Sequence, residues 1–363
     1  MPHSHHSHSG QFCRHAKDNL EDVIVEAIRQ GFEVFGLSEH APRYRLEDLF
    51  PEEADLTPTD LLEAYHSFLA IASSLREKYS SRIHLLISLE TDYITPLDSL
   101  NLASLLASTR GDAIDYIVGS VHHVRGISID FDRNTWLRAV HLCSRRPPSQ
   151  EEEEEEDGRT MDPGPPPKLE LGDQSITCLR EGYVPTEEEL IPFLEKYFDS
   201  QFDLIKKHQP EVLGHIDLCL LWVPEISKKL QAMPSVWARV ERNVRAVIEY
   251  GGLFEANAAA FRKGWETSYP SKDILQLILS LKGRICLSDD SHGVSYVGLN
   301  YLKLRDYLAG ADVATIWYLV PTDQRVNGDE DVGNRRRVVA RRMEAWNDHP
   351  FWKKLEIAQE AKT

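Results

Sequence analysis

"IHLLISLETDY" spans residues 83–93, and its reading decides the fold. It begins as an apolar run of strand length and ends in Glu90 and Asp92. The same grammar recurs along the chain. "EVFGLSEH" (33–40) ends in Glu39 and His40, "AIDYIVGSVHH" (113–123) in His122 and His123, and "EVLGHIDL" (211–218) in His215 and Asp217. "GLFEANAAAF" (252–261) carries Glu255 and Asn257, and "RICLSDDSH" (284–292) closes on Asp289, Asp290 and His292. Amphipathic runs of helix type fall between them, at 18–30, 59–79, 97–108, 187–207, 235–250, 271–281 and 302–309. Alternation of this kind implies parallel strands joined by helical crossovers. With a short first strand near the N-terminus there are about seven such units. That number favours a closed or nearly closed α/β barrel over a doubly wound sheet.

The bulk numbers agree with one large α/β domain over 1–363. Of the 363 residues, 42% are hydrophobic, enough for a sizeable core. No apolar run of about 18 residues exists, so no membrane partner is expected. The N-terminus lacks the basic-then-apolar pattern of a secretory signal. The five cysteines (Cys13, Cys143, Cys178, Cys219, Cys286) never form a CxxC pair, which suits free thiols and a cytoplasmic location. A net charge of -17 with no basic stripe argues against a nucleic-acid partner. A small molecule is the expected partner, and the oligomeric state is left open.

One segment breaks the pattern. Residues 145–173 read "RRPPSQEEEEEEDGRTMDPGPPPKLELGD". A run of acids followed by proline and glycine cannot bury a core, so a disordered surface insert is expected there.

In a parallel barrel the carboxyl ends of all strands open on one face. Side chains distant in sequence would therefore converge. The opening stretch "HSHHSHSGQFCRH" (3–15) finds its partners in the same way. A floppy tag is the bland alternative, but the stretch runs directly into Phe12-Cys13 and an amphipathic segment. His6 and His8 are two apart, so an extended strand points both to one side. Imidazole and carboxylate are ligands for Zn, Fe or Mn, and more of them converge than one ion needs. Two or three divalent metals are expected, with Glu90 as a shared ligand. Such a cluster suits hydrolysis of a phosphate monoester.

"HSHS" (His6, His8), "SEH" (His40), "LETDY" (Glu90), "GSVHH" (His122), "GHID" (His215) and "SDDSH" (Asp290, His292) occur in that order. Together they resemble the PHP (polymerase and histidinol phosphatase) superfamily. "SVHHVRGISIDFD", "EANAAAFRKG" and "LSDDSHGVSYVGLNY" look closest to histidinol-phosphate phosphatases of the fungal type. The resemblance covers nearly the whole chain apart from the insert and the last 40 or so residues. It implies the PHP fold, a distorted (β/α)7 TIM-like barrel with a trinuclear site. One metal would be held by His6, His8, Glu90 and Asp290. A second would be held by Glu90, His122 and His215, and a third by His15, His40 and His292. The spacing before His15 is one residue longer than in the bacterial form, and His3 with His5 makes a rival His-x-His pair. The resemblance further implies hydrolysis of L-histidinol phosphate to L-histidinol and phosphate, in histidine biosynthesis. Glu90 and Asp290 would serve catalysis through the metals. His123 would either face the substrate or pack behind its neighbour; it or a metal-bound water would protonate the leaving oxygen, and Arg262 with Lys263 would hold the phosphate. The rival readings are a PHP-type nuclease, another small-molecule phosphoesterase, and a non-catalytic metal-binding regulator.

Supporting parts are assigned to the remaining polar residues. Asp289, Asp217 and Glu39 are expected to orient or cap rather than ligate. Cys13 is read as a small buried residue, and Trp317, Tyr318 and Trp346 as packing.

Overall fold

The computed structural model describes residues 2–145, 182–335 and 337–360. Seven strands form one sheet: β1 (His3–Ser4), β2 (Val34–His40), β3 (His84–Glu90), β4 (Tyr116–Gly119), β5 (Val212–Leu213), β6 (Leu253–Asn257) and β7 (Arg284–Ser288). Each pairs in parallel with the next, so spatial order equals chain order. The two edges approach each other. His5 N–H donates to the Leu287 carbonyl at 3.2 Å, and Leu287 N–H donates to His3 Nε2 at 2.9 Å. The sheet is thus nearly closed into the α/β barrel that the alternation predicts.

Helices cross over between the strands: α1 (Leu20–Gln30), α2 (Pro58–Tyr79), α3 (Pro96–Ala107), α4 (Arg133–Ser144), α5 (Glu187–His208), α6 (Pro234–Glu249) and α7 (Lys272–Ser280). Local chemistry starts several of them. Thr57 and Asp60 exchange hydrogen bonds at the head of α2, and Thr186 and Glu189 do so at the head of α5. Such a cap contributes about 1 kcal/mol.

Strand residues alternate between two buried clusters. Phe35, Leu37, Ile87, Leu89 and Phe254 join the helices in one. Val34, Leu86, Tyr116, Val212, Leu253 and Cys286 belong to the other. Along that second face each strand changes character. Leu86, Ser88 and Glu90 follow one another at a period of two, as do Leu253, Glu255 and Asn257. The barrel is apolar where its strands begin and ionisable where they end.

The apolar end is plugged by a part of the chain that the sequence reading left out. From Thr315 on, the chain forms β8 (Thr315–Pro321), β9 (Glu330–Asp331) and β10 (Val338–Glu344), an antiparallel sheet of order β8-β10-β9. Tyr318, Leu319, Val320 and Val339 pack in the same cluster as Val34 and Leu86. Two further helices follow β7, α8 (Tyr301–Gly310) and α9 (Pro350–Glu360). α4, α9 and the extra sheet were not anticipated. The strands are also shorter than the apolar runs: 211–218 yields only Val212–Leu213 as strand. Glu39, His40, Glu90, Glu255 and Asn257 lie in the last residues of the ladder, whereas His122, His215, Asp217, Asp289 and Asp290 sit just beyond it. Gly36 permits one close approach. A Cβ there would lie 1.9 Å from the Tyr116 hydroxyl, which donates to the His5 carbonyl at 2.7 Å. Beyond Arg145, the acidic insert lies outside the described residues.

Candidate metal centre

His6 and His8 follow β1, and the Ser7–His8 segment pairs in parallel with Ser291–His292. That pairing brings the first and last loops of the barrel together. Glu90 ends β3, and its two oxygens face different partners. Oε2 lies 3.1 Å from His6 Nε2, 3.2 Å from His8 Nε2 and 3.4 Å from His40 Nδ1. Oε1 lies 3.0 Å from His215 Nε2 and 3.2 Å from His122 Nε2. Asp290 Oδ1 lies 3.7 Å from the Nε2 atoms of both His6 and His8. His15, His40 and His292 form a further group, with ring centroids 5.2 Å apart for His15–His40 and for His15–His292. All nine residues proposed from the motifs as ligands therefore meet at the polar end of the barrel.

Partner chemistry fixes several tautomers. His122 Nδ1 donates to Asp92 Oδ1 at 2.7 Å, and His6 Nδ1 donates to Glu255 Oε1 at 2.7 Å. His292 Nδ1 donates to the Asp290 carbonyl at 2.9 Å. In each ring Nε2 is left with its lone pair turned inward. His6 Nε2, His8 Nε2 and both nitrogens of His40 are buried and make no hydrogen bond, although carboxylate oxygens are near. Donor atoms that converge without bonding one another are what a cation needs. His6, His8 and Glu90 can hold one ion, His8, Asp290 and His292 another, and His15, His40 and His292 another. His8, Cys13 and His40 also come within ligand range, and Cys13 Sγ lies 3.1 Å from His15 Nε2.

The electrostatics agree. Burial alone would lower every imidazole here. At His8 it is outweighed by Glu39 and Glu90, which lift the pKa to about 9. At His6 and His122 it is outweighed by Glu90 and neighbouring carboxylates, which hold both above the usual histidine range. The polypeptide thus calls for positive charge at this point, which protons or metal ions can supply. His40 and His292 are pushed down by burial and by neighbouring His8.

The expected supporting residues behave as braces. Glu39 Oε1 accepts from Ser9 N–H at 2.9 Å and from Ser9 Oγ at 2.7 Å. Asp289 accepts from Ser4 Oγ and Gly298 N–H, both at 2.7 Å, and Asp217 accepts from Ser271 N–H at 2.7 Å. Arg43 escaped the sequence reading. It is buried, donates to Asp92 Oδ2 at 2.8 Å, pairs with Glu53 and lies 4.7 Å over the Phe50 ring. Its partner Asp92 comes from the loop after β3, which the neighbourhood of Arg43 in sequence does not reveal.

Part of the candidate ligand set lines a cavity of about 310 Å³. Its wall includes Glu90, His122, His215, Asp290 and His292, and its mouth includes Arg262 and Lys263. His123 is buried, with its ring 6.0 Å from that of Phe50, which lines the cavity. Burial pushes its pKa down to about 4, so it is uncharged at neutral pH. His122 turns its Nε2 to Glu90 Oε1 at 3.2 Å. His3 and His5 point away from the cavity. Each accepts a backbone N–H through Nε2, His3 from Leu287 and His5 from Leu319, both at 2.9 Å.

A model of the PHP domain matches residues 4–151. A probable histidinol-phosphatase of Schizosaccharomyces pombe is 39% identical over 317 residues, covering 87% of this chain and 89% of its own. The histidinol-phosphatase of Saccharomyces cerevisiae is 28% identical over 381 residues, covering 96% and 99%. A solved histidinol phosphate phosphatase of Lactococcus lactis, complexed with Zn, L-histidinol and phosphate, superposes with a TM-score of 0.53 at 17% identity. That match covers 85% of this chain and 93% of its own. Among the described residues, no helix is long and apolar enough to cross a membrane.

Proposed function

The chain belongs to the histidinol-phosphatase family of PHP proteins, and from that premise we propose that it hydrolyses L-histidinol phosphate to L-histidinol and phosphate. The observation that carries this reading is the division of Glu90 between two sets of imidazoles at the wall of a cavity whose mouth holds two cations. His6, His8, Glu90 and Asp290 would hold one metal, Glu90, His122 and His215 a second, and His15, His40 and His292 a third. The unbonded, inward-turned nitrogens of His6, His8 and His40 fit that assignment. Zn, Fe or Mn suits such a donor set, and the Lactococcus neighbour is complexed with Zn. Divalent ions there would supply Lewis acidity and make hydroxide available from water near neutral pH.

The chain's own residues do the rest. Arg262 and Lys263 hold the phosphoryl oxygens at the mouth. Arg262 suits this task because its guanidinium lies 4.4 Å over the Tyr296 ring, and no carboxylate among the described residues pairs with it. Asp92 and Glu255 orient His122 and His6, and the buried wall excludes bulk water around Glu90 and Asp290. The leaving alkoxide takes its proton from solvent in the open mouth. The free thiols at Cys13, Cys143, Cys219 and Cys286 support a cytoplasmic location. Both buried clusters share the same strands, which supports treating 1–363 as one domain around its insert.

The test is phosphate release by the metal-reconstituted protein. L-histidinol phosphate is compared with other phosphomonoesters and with single-stranded DNA. Preferential turnover of L-histidinol phosphate is expected. Preferential cleavage of DNA would replace the proposal with a nuclease.

A further inference from the structure

The mouth of the cavity is chemically divided. Arg262 and Lys263 stand on the arc that follows β6. The loops after β2 and β4, on another arc of the strand order, contribute two carboxylates and two phenylalanines: Glu52, Asp130, Phe50 and Phe131. The two rings are stacked, 6.1 Å apart and 14° from parallel. Phe131 is 42% exposed, so a large apolar surface stands open beside the cavity. Phe50 is fixed from behind by Arg43, which is itself tied to Asp92.

Neither carboxylate is neutralised by the protein. Among the described residues, no lysine or arginine pairs with Glu52 or Asp130. Asp130 accepts from Ser128 Oγ at 3.1 Å, and Glu52 Oε1 lies 3.5 Å from His15 Nδ1. Carboxylates at the entrance to a phosphate site repel the dianion unless the ligand brings positive charge of its own. A phosphate ester that also carries an ammonium and an imidazole brings that charge. The ammonium is protonated at neutral pH, and an imidazole titrates near 6.5.

The geometry points to Glu52 and Asp130 as the receptors for the cationic end of the substrate, with Phe50 and Phe131 packing against its imidazole ring. This assignment rests on the function proposed above and extends it to recognition. Charge-assisted hydrogen bonds supply the pull, and a cationic ring over an aromatic face adds to it. The phosphate is thereby drawn to the Arg262 side and the amine to the Asp130 side, so the ester enters in one orientation.

The test compares Asp130→Asn, Glu52→Gln and Phe131→Ala on two esters, L-histidinol phosphate and the uncharged-alcohol ester glycerol 2-phosphate. The ratio of kcat/KM between them should fall by about 10- to 100-fold in the carboxylate variants. KM should carry more of the change than kcat, and competitive inhibition by L-histidinol should weaken in parallel. Metal content is measured on each variant, because Glu52 touches His15. Equal losses on both esters, with unchanged inhibition by L-histidinol, would overturn this assignment alone. A wild-type protein that hydrolyses glycerol 2-phosphate but not L-histidinol phosphate would overturn the proposed function and this assignment together. Phe131 is exposed, so its variant keeps the test valid if a carboxylate variant folds poorly.

Discussion

The Asp92 carboxylate joins His122 to Arg43: Oδ1 accepts from His122 Nδ1 at 2.7 Å and Oδ2 accepts from Arg43 at 2.8 Å. Burial alone would raise the Asp92 pKa. His40, His122 and Arg43 outweigh it, so Asp92 stays ionised. The ionised form fixes the His122 tautomer and turns Nε2 toward Glu90. Asp92→Asn should lower metal affinity or kcat/KM by about 10- to 100-fold while leaving the circular-dichroism spectrum intact. Chelator competition and steady-state kinetics measure both. An unchanged metal affinity and rate would remove the orienting role.

Glu90 offers a different oxygen to each set of imidazoles. Glu90→Gln keeps the shape and removes the charge. Because one carboxylate serves two sets, more than one equivalent of metal should be lost per chain. Phosphate release should fall on the order of 10³-fold or more. Metal analysis of the purified variant decides the point: loss of one equivalent or none would mean that Glu90 is not shared.

Arg262 stands at the mouth without a carboxylate partner among the described residues, packed on Tyr296. Arg262→Ala should raise KM for phosphomonoesters by about 10- to 100-fold and weaken inhibition by inorganic phosphate similarly. Metal content should be unchanged. A variant that arrives without its metals would show that the role is structural.

The rim was legible in the sequence because a strand has only two faces. A period of two assigns Glu90 with Ser88 to one side and Leu89 to the other. What escaped was long-range and unsigned. Arg43 meets Asp92 only after β2 and β3 align, and Glu52 and Asp130 lie in loops without periodicity. The C-terminal sheet reads as ordinary apolar sequence until the barrel end it covers is known. His122 and His123 are adjacent, so their pattern cannot say which one meets Glu90. The fold does, with His122 Nε2 3.2 Å from Glu90 Oε1.

The paired histidines of the first stretch pose the same choice, and the structure separates them. His5 is fully buried and accepts from Leu319 N–H in β8, which binds the C-terminal sheet to the barrel. Burial pushes its pKa down to about 3, so it is neutral. His5→Ala leaves a cavity and an unpaired amide, and should cost about 2–4 kcal/mol of stability. Metal binding by the folded fraction should persist. His8→Ala should show the reverse, with metal lost and the fold kept. Urea unfolding beside metal analysis separates the two. A His5 variant that folds normally but binds no metal would return His3 and His5 to the ligand list.

Glu211 sets a pH dependence away from the metal centre. It is fully buried, Oε2 accepts from Ile117 N–H at 2.8 Å, and Oε1 has no hydrogen-bond partner among the described residues. Burial raises its pKa from 4.5 to about 7, against the pull of Arg335. A carboxyl whose pKa is higher in the fold than in the unfolded chain holds its proton longer in the fold. Its contribution to stability is full below about pH 4.5 and is lost as pH rises through 7. The cost above that window is on the order of 3 kcal/mol. Glu211→Gln keeps an acceptor for Ile117 and cannot ionise. It should match the wild type at pH 5 and exceed it at pH 8. Urea midpoints of both proteins at the two pH values measure the gap. A gap that stays constant with pH would mean that Glu211 is already ionised in the fold at pH 5.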